Sequence, residues 1–348
     1  MKAAIFIEPK LIEVKQVAKP EIERSTDALI HIIRASVCGS DLWWYRGISK
    51  KSSGPVGHEA IGVIESVGSA VKNFKKGDFV IIPFTHGCGQ CRICLAGFEA
   101  NCPNVESDYH VGYQAEYLRA INADGALVKI PGKPSDYSEA QLASLTTLAD
   151  VMPTGYHAAV SAEVKSGDTV VVFGDGAVGL CGVISAKLLG AKRIIAMSRH
   201  EDRAKLAREF GATEIIAERG DEAVEKVLAM TDGLGADAVL ECVGTALSTE
   251  TAFKVARAGA VIGRVGVPHD VDYQAIDRLF WRNIGLKGGI ASVAKYDKAI
   301  LLDKVLDGSI QPGRVFTATF ELDQIQSAYQ AMDERQAIKS LIKIENEL

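Results

Sequence analysis

Four cysteines form a compact group in the first third of the chain, with two, two and seven residues between them: Cys88, Cys91, Cys94 and Cys102. Four thiolates at such spacing can surround one tetrahedral Zn²⁺ and leave no open position for chemistry. Two disulfides or an iron–sulfur cluster would use the same residues. Because we expect an intracellular protein, where disulfides are rare, we predict a structural zinc site that holds a lobe at 86–104.

A second set of possible metal ligands is dispersed along the chain. Cys38 opens the run Cys-Gly-Ser-Asp, His58 lies in Gly-His-Glu, and Asp150 follows much later. Taken alone, Cys38 could equally be a small buried residue rather than a metal ligand, and His58 could be a histidine of the core. A catalytic zinc needs three protein ligands and one open position, and Cys, His and Asp suit that ion. Together with a dinucleotide site, the three residues indicate catalytic zinc.

A glycine-rich turn follows the apolar run 169–173 and precedes a helix-like segment of small and apolar residues. Its sequence is Gly174-Asp175-Gly176-Ala177-Val178-Gly179. The first glycine permits a tight bend, the second lets a pyrophosphate approach the backbone, and the third allows close helix–strand packing. The amides at the start of the helix then face the anion. With both flanks correct, the turn predicts a dinucleotide site that includes Gly174, Gly176, Val178 and Gly179.

The end of the next predicted strand indicates which dinucleotide binds. An NAD site usually has Asp or Glu there to bind the ribose 2′-hydroxyl. This chain has Ser198 followed by Arg199, with Arg203 one helical turn later. A hydroxyl and guanidinium groups can form charge-assisted hydrogen bonds to a 2′-phosphate, so the sequence favours NADP over NAD. The alternative is that both arginines are solvated residues at the start of a helix.

Two different patterns must position these residues. Residues 1–85 are β-rich, with strands predicted at 28–35, 60–67 and 79–82, and strand-like pieces return near 115–118 and 126–130. A helix is expected over 138–149. From about residue 151, strands and helices alternate, with strands predicted at the following ranges: 169–173, 193–197, 214–216, 238–241, 260–265 and 285–288. Helices are predicted at 199–210, 221–230, 247–256 and 296–306, and strands at 315–320 and 340–344. The alternation predicts a parallel sheet.

The overall composition argues against several classes of protein. The net charge is −5 and charged residues make up 24% of the chain, so we expect no nucleic-acid partner. No apolar run approaches the length of about 20 residues that a membrane span needs, and residues 1–6 are typical of a strand rather than a secretory leader. We therefore expect a soluble, cytoplasmic protein with no membrane partner.

The chain resembles the zinc-dependent alcohol dehydrogenases of the medium-chain dehydrogenase/reductase superfamily. The run 57–62, continuing to Gly68 and Val71, is similar to that family's zinc signature. The four-cysteine lobe and the glycine turn follow in the family's order. The resemblance implies an α/β fold, a Rossmann doubly wound parallel sheet plus a GroES-like β-rich catalytic domain. The implied domains are 1–150 (catalytic, with the zinc lobe), 151–288 (NADP-binding) and 289–348 (returning to the catalytic domain).

The resemblance also implies roles for individual residues. Cys38 and His58 match the first two catalytic zinc ligands, and Asp150 takes the third place, where relatives often have cysteine. In this respect the chain resembles a bacterial NADP-dependent secondary-alcohol branch of the family, which also has aspartate at this position. Ser40 matches the hydroxyl that passes the substrate proton, and Asp41 and Glu59 match acids beside the zinc. Further expected cofactor contacts are Val265, Gly266, Val267 and Lys339.

The implied function is hydride transfer between NADP(H) and a small alcohol, ketone or aldehyde, with two zinc ions per chain. A homo-oligomer is expected, a tetramer rather than a dimer. Two alternatives stay open: an NAD-linked polyol dehydrogenase of the same superfamily, and a non-catalytic NADPH-binding or redox-sensing protein.

One departure concerns the proton relay. Trp43 stands where many relatives have a histidine, and Trp44 and Tyr45 follow it. These aromatic residues either shape a substrate pocket, with Phe84, Tyr109 and His110, or pack in the core.

Overall fold

The computed structural model describes residues 1–105, 112–268 and 276–344. Its strands are β1 (Lys2–Glu8), β2 (Leu11–Gln16), β3 (Ala28–Ser36), β4 (Gly54–Pro55), β5 (Ala60–Val67), β6 (Phe79–Ile82), β7 (Tyr117–Ala120), β8 (Val128–Ile130), β9 (Thr169–Phe173), β10 (Arg193–Met197), β11 (Glu214–Ile216), β12 (Ala236–Glu241), β13 (Ala256–Arg264), β14 (Gly285–Gly288), β15 (Phe316–Glu321) and β16 (Lys339–Lys343).

The α-helices are α1 (Asp41–Tyr45), α2 (Arg92–Leu95), α3 (Ala123–Ala126), α4 (Glu139–Thr147), α5 (Val151–Ser161), α6 (Ala177–Leu188), α7 (Glu201–Phe210), α8 (Gly220–Met230), α9 (Ala246–Val255), α10 (Ile276–Arg282), α11 (Val293–Tyr296), α12 (Leu302–Leu306) and α13 (Ile325–Asp333). In the part of the chain that the structure describes, no helix is both long enough and apolar enough to span a membrane.

The chain divides into two compact units. The first contains residues 1–153 and 292–348, and the second contains residues 154–291. In the first unit, a seven-stranded sheet has the order β15-β16-β3-β5-β6-β8, with β7 also paired to β3, and a small sheet has the order β2-β1-β4. The branched residues of β3 and β5 form much of this unit's core, in which Ile30, Ile32 and Ile64 are almost fully buried. The tail of the chain adds β15 and β16 to this sheet.

The second unit is built on a six-stranded parallel sheet of order β11-β10-β9-β12-β13-β14. Numbered from β9, this is the order 3-2-1-4-5-6 of the doubly wound Rossmann fold, so that prediction is confirmed. The register is regular around β9, where Val171 lies opposite Ile195 on β10 and Val239 on β12. The central strands β9 and β12 are nearly continuous buried runs, because both faces of a parallel sheet are covered at its centre. The order reverses between β9 and β12, the point at which such sheets bind ligands.

Candidate metal centres and cofactor-binding turn

Three loops of the first unit bring the dispersed ligand candidates together. Cys38 follows β3, His58 precedes β5, and Asp150 lies between α4 and α5. One ligand atom from each of these residues and one from Glu59 all lie within 4.8 Å of one another. Residues that are up to 112 positions apart in the chain therefore form one compact donor set.

The donor distances suit a tetrahedral zinc ion. The Cys38 Sγ lies 3.4 Å from the Asp150 Oδ2, and the His58 Nε2 lies 3.7 Å from the same oxygen. Zinc bonds of about 2.0–2.3 Å give tetrahedral edges of about 3.3–3.7 Å between donors. Burial raises the pKa of the Cys38 thiol to about 11, and the charges of Asp150 and Glu59 act in the same direction. A bound cation would reverse that effect and hold the thiolate. The residues therefore fit a zinc ion.

His58 is oriented by its neighbours on both sides. Its Nδ1 lies 3.5 Å from the Asp41 Oδ1, which leaves Nε2 facing Asp150. Burial acts to lower the pKa of His58, but the negative charge of Asp41 and the interactions with Cys38 and Asp150 outweigh burial and raise it well above 6.5. Asp41 also accepts the backbone N–H of Cys38 at 3.2 Å. One carboxylate thus fixes two of the three candidate ligands, the arrangement typical of metal-binding histidines.

The backbone before His58 requires glycine. Gly57 has φ of +89°, and a Cβ at this position would lie 2.5 Å from the Gln114 side chain. Gln114 is fully buried, donates to the Ser36 carbonyl at 2.9 Å and accepts from the Tyr329 hydroxyl at 3.1 Å. This network supports the chain on either side of the donor set. Sequence reasoning missed Gln114 and Tyr329 because their roles depend on contacts between distant segments.

Glu59 is completely buried and forms an ion pair with Lys339, which is 1% exposed. The Lys339 Nζ lies 2.6 Å from Glu59 Oε2 and donates to the Val37 carbonyl at 3.0 Å. Burial acts to lower the pKa of Lys339, but the carboxylate of Glu59 outweighs it, so the ammonium stays charged. The contact that the structure gives Lys339 is therefore Glu59. Its contact with a pyrophosphate stays a prediction, and it would require the ammonium to leave these partners.

The four lobe cysteines converge around a single point. The Sγ–Sγ distances are 3.5 Å for Cys91–Cys94, 3.8 Å for Cys91–Cys102 and 4.0 Å for Cys88–Cys94. Zinc–sulfur bonds of about 2.3 Å predict tetrahedral edges of about 3.8 Å, whereas a disulfide needs about 2.05 Å. Backbone N–H groups donate to two of the sulfurs, as thiolate ligands require. The donor set fits a closed, structural zinc site and not a pair of disulfides.

The glycine turn lies between β9 and α6, as its pattern predicts. Gly174 has φ of +106°, and a Cβ on Gly179 would lie 2.0 Å from the Gly174 carbonyl oxygen, so both positions require glycine. Space is open beside Gly176, where a Cβ would have no neighbour within 4 Å. No side chain caps α6 at Gly176. The open space and the first amides of α6, including that of Val178, suit a bound pyrophosphate.

The residues after β10 have partners that the sequence does not reveal. Ser198 is 1% exposed and its hydroxyl donates to the Asp175 Oδ2 at 2.9 Å. The Arg203 Nη1 lies 3.3 Å from the Asp175 Oδ1, whereas Arg199 is exposed. The sequence pattern assigns Gly174, Gly176, Val178 and Gly179 of the turn to the cofactor but gives no role to Asp175. Its carboxylate type in a phosphate-binding turn was the available signal.

The predicted contacts Val265, Gly266 and Val267 follow β13 directly. The amides of Val265 and Gly266 donate to the Glu241 carbonyl at the end of β12. The buried Glu241 carboxylate accepts the amides of Val243 and Gly244 and the hydroxyl of Ser248. Glu241, which sequence reasoning missed, thus fixes two neighbouring loops at the carboxyl edge of the sheet.

The aromatic cluster divides between packing and the site. Trp44 contacts Phe6 and Tyr329, with ring centroids 4.9 and 5.5 Å away, and Tyr45 is 2% exposed. For these two, core packing is the better interpretation. Phe84 lies beside the donor set, 6.0 Å from the His58 ring. Tyr109 and His110 lie outside the described residues.

Comparison with known proteins matches two family models to the chain. "Alcohol dehydrogenase GroES-like domain" matches residues 24–132, and "Zinc-binding dehydrogenase" matches residues 177–302. The first model covers much of the β-rich unit that carries Cys38 and His58. The second begins at the start of α6 and covers most of the parallel sheet.

Individual relatives agree with these matches. "Zinc-type alcohol dehydrogenase B" of Aspergillus flavus is 38% identical over 77% of this chain, and the match covers 64% of that protein's length. "NADP-dependent isopropanol dehydrogenase" of Clostridium beijerinckii is 30% identical over 92% of both chains. Among solved structures, the alcohol dehydrogenase TADH of Thermus sp. ATN1 is 30% identical, with a TM-score of 0.90 over 99% of this chain and 100% of that one.

Proposed function

We propose a specific reaction for this chain, which belongs to the zinc-dependent alcohol dehydrogenases of the medium-chain dehydrogenase/reductase superfamily. Membership gives the general activity, that of a zinc-type alcohol dehydrogenase. The proposed reaction is hydride transfer between NADP(H) and a small alcohol, ketone or aldehyde. The observation that carries it is the convergence of Cys38, His58 and Asp150 in a chain that also has the dinucleotide turn.

In this proposal the catalytic zinc is held by Cys38, His58 and Asp150, and the structural zinc by the four lobe cysteines. The thiolate and carboxylate of the first set together carry a charge of −2, which matches the charge of the ion. When bound there, zinc acts as a Lewis acid on the oxygen of the substrate. An oxygen donor gives the metal less electron density than a second thiolate would, which favours that chemistry.

The other residues around the donor set have two roles: they orient the ligand side chains, or they transfer the substrate proton. Asp41 keeps His58 in the orientation that presents Nε2, and the Lys339 ammonium keeps Glu59 beside the donors. Ser40, at the start of α1, is exposed, and its hydroxyl is the group proposed to exchange the substrate proton. Because Trp43 replaces a relay histidine, the proton is proposed to leave through the cofactor ribose and water.

The cofactor proposal rests on the turn and on the end of β10. The amides of α6 would bind the pyrophosphate, and Ser198, Arg199 and Arg203 would face the 2′-position of the adenosine ribose. The Clostridium beijerinckii relative is named an NADP-dependent isopropanol dehydrogenase, which supports NADP as the cofactor and a small secondary alcohol as the substrate. The solved structure of an NAD-dependent alcohol dehydrogenase, which is 25% identical to this chain, has the same fold with a TM-score of 0.83. The Val265–Val267 backbone is proposed to bind the carboxamide of the nicotinamide.

The proposal is tested by measuring the metal content and the cofactor preference of the purified protein. We expect two zinc ions per chain and a higher kcat/KM with NADP than with NAD on a panel of short alcohols, ketones and aldehydes. Polyols included in the panel test the alternative of an NAD-linked polyol dehydrogenase.

Arg199→Asp should shift the cofactor preference towards NAD, since a carboxylate repels the 2′-phosphate. Arg208→Asp, an equal change of charge at the exposed end of α7, is the matched control. Equal or better use of NAD by the unaltered protein would contradict the NADP assignment.

A further inference from the structure

The Asp175 carboxylate lies in the dinucleotide turn, between its first two glycines, and bonds to the residues that end β10. It accepts the Ser198 hydroxyl at 2.9 Å, and its other oxygen lies 3.3 Å from Arg203 Nη1. Arg203 also donates to the Asp175 backbone carbonyl at 3.3 Å. Ser198 occupies the place where an NAD site usually has its own acid. The turn therefore supplies a carboxylate within hydrogen-bonding distance of that place.

The end of β10 is less positively charged than Ser198, Arg199 and Arg203 alone would suggest, because a carboxylate lies beside it. Arg203 is paired with Asp175, and their side chains are only 17% and 16% exposed. The Ser198 hydroxyl proton is directed at the same carboxylate. A 2′-phosphate would meet the exposed Arg199 but would also lie near a negative charge, and Arg203 would be shared between two anions. A 2′-hydroxyl, by contrast, can donate a hydrogen bond to a carboxylate.

We propose that Asp175 is a specificity-determining residue that lowers the preference for NADP and allows NAD to bind. It does so by repelling the 2′-phosphate, by competing with it for Arg203 and Ser198, and by accepting the 2′-hydroxyl of NAD. The inference rests on the proposed dinucleotide site but not on the catalytic zinc, since every residue involved lies in the second unit.

The test compares Asp175→Asn with Asp232→Asn. The second variant makes the same change of charge at an exposed position in the α8–β12 connection, at the opposite edge of the sheet from the turn. Asparagine keeps an acceptor for Ser198, and Arg203 keeps the backbone carbonyl. We expect the NADP/NAD ratio of kcat/KM to rise about tenfold in Asp175→Asn, a change of about 1.4 kcal/mol, and to stay unchanged in Asp232→Asn.

Calorimetric binding of two fragments separates this inference from the proposed reaction. Adenosine 2′,5′-bisphosphate should bind Asp175→Asn about tenfold more tightly than the unaltered protein, while 5′-ADP should bind no more tightly. Asp175→Ala, which also removes the charge, should change the preference in the same direction and guards against an effect peculiar to asparagine. The assignment would be overturned if, in Asp175→Asn and Asp175→Ala, the NADP/NAD ratio of kcat/KM and the affinity for the bisphosphate both stayed within twofold of the unaltered protein. A decrease of both quantities in these two variants would overturn it as well. An inactive protein that binds the fragments as expected would contradict the proposed reaction alone.

Discussion

Asp150 provides an oxygen donor where a Cys₂His set would have a second thiolate. Its carboxylate lies within 3.4 Å of the Cys38 sulfur and 3.7 Å of the His58 Nε2, and no more than 5% of the residue is exposed. Burial acts to raise its pKa, but His58 outweighs burial and holds the pKa well below its usual value. The side chain is therefore charged and directed at the other donors.

Asp150→Ala should remove one zinc ion and leave the other. Two donors with no third ligand bind zinc weakly, so metal analysis should fall from two ions per chain to one. Activity should fall about a thousandfold or more, because Lewis-acid stabilisation contributes several kcal/mol. The matched control is Asp150→Cys, which restores a three-ligand set of the Cys₂His type and should retain both ions. An Asp150→Ala protein that keeps two zinc ions would show that Asp150 is not a required zinc ligand.

At the scale of elements, the helical segment after β14 departs from its prediction. The sequence predicts one helix over 296–306, but the structure has α11, a π-helical turn at Asp297–Leu301 and α12. Asp297 lies in the π-helical turn and is 1% exposed, and neither of its carboxylate oxygens has a hydrogen-bond partner among the described residues. Burial raises the pKa of Asp297 well above its ordinary value of 3.8, with only Lys298 opposing it.

Asp297→Asn should stabilise the protein increasingly as pH rises. Because the folded state keeps the proton after the unfolded state has lost it, the contribution of Asp297 to the free energy of unfolding falls as pH rises above about 4. Asparagine does not titrate, so the gain in melting temperature should be larger at pH 8 than at pH 5. Asp303→Asn, at an exposed position on α12, should show no such trend. A gain that stays constant or shrinks with pH would count against a buried, protonated Asp297.

Regular elements could be predicted where local pattern and burial agree. The strands at 169–173, 193–197, 214–216 and 285–288 begin and end as predicted. The first three centre on apolar residues, and the fourth is delimited by the glycines at its two ends. Residues 126–130 were harder: α3 ends at Ala126, and only Val128–Ile130 forms a strand. The chain enters α3 through Asn122 at φ of +51°, a conformation that an apolar pattern does not indicate.

The candidate site was predictable as residue types but not as contacts. Spacing and type identify Cys38, His58 and Asp150 as possible ligands, since each can bind zinc. Asp175 and Glu241 could not be assigned in this way, because their roles come from neighbouring loops that meet only at the sheet edge.

At the scale of the whole molecule, the second unit has an unpaired sheet edge and, on α10, two exposed aromatic residues. Within the described ranges, β14 ends the strand order, so one side of its backbone has no neighbouring strand. Phe280 and Trp281 on α10 are 73% and 79% exposed, and their rings contact each other edge to face. Unpaired edges and exposed apolar groups favour association with another chain. This surface supports the proposal of a homo-oligomer, and the expectation of a tetramer rather than a dimer rests on the family resemblance.

Trp281→Lys should weaken that assembly while leaving each chain folded. A charged side chain at an interface would have to be buried without a partner, whereas in a separate chain it stays in water. Light scattering after size exclusion should give a mass near a tetramer for the unaltered protein and a smaller mass for the variant, at equal helix content by circular dichroism. Leu234→Lys is the control, because Leu234 is 67% exposed and lies in the α8–β12 connection, away from β14. If Trp281→Lys and Leu234→Lys both keep the mass of the unaltered protein, the interface lies elsewhere. If the unaltered protein has the mass of one chain, 37.2 kDa, the edge of β14 is tolerated in water and the oligomer proposal is wrong.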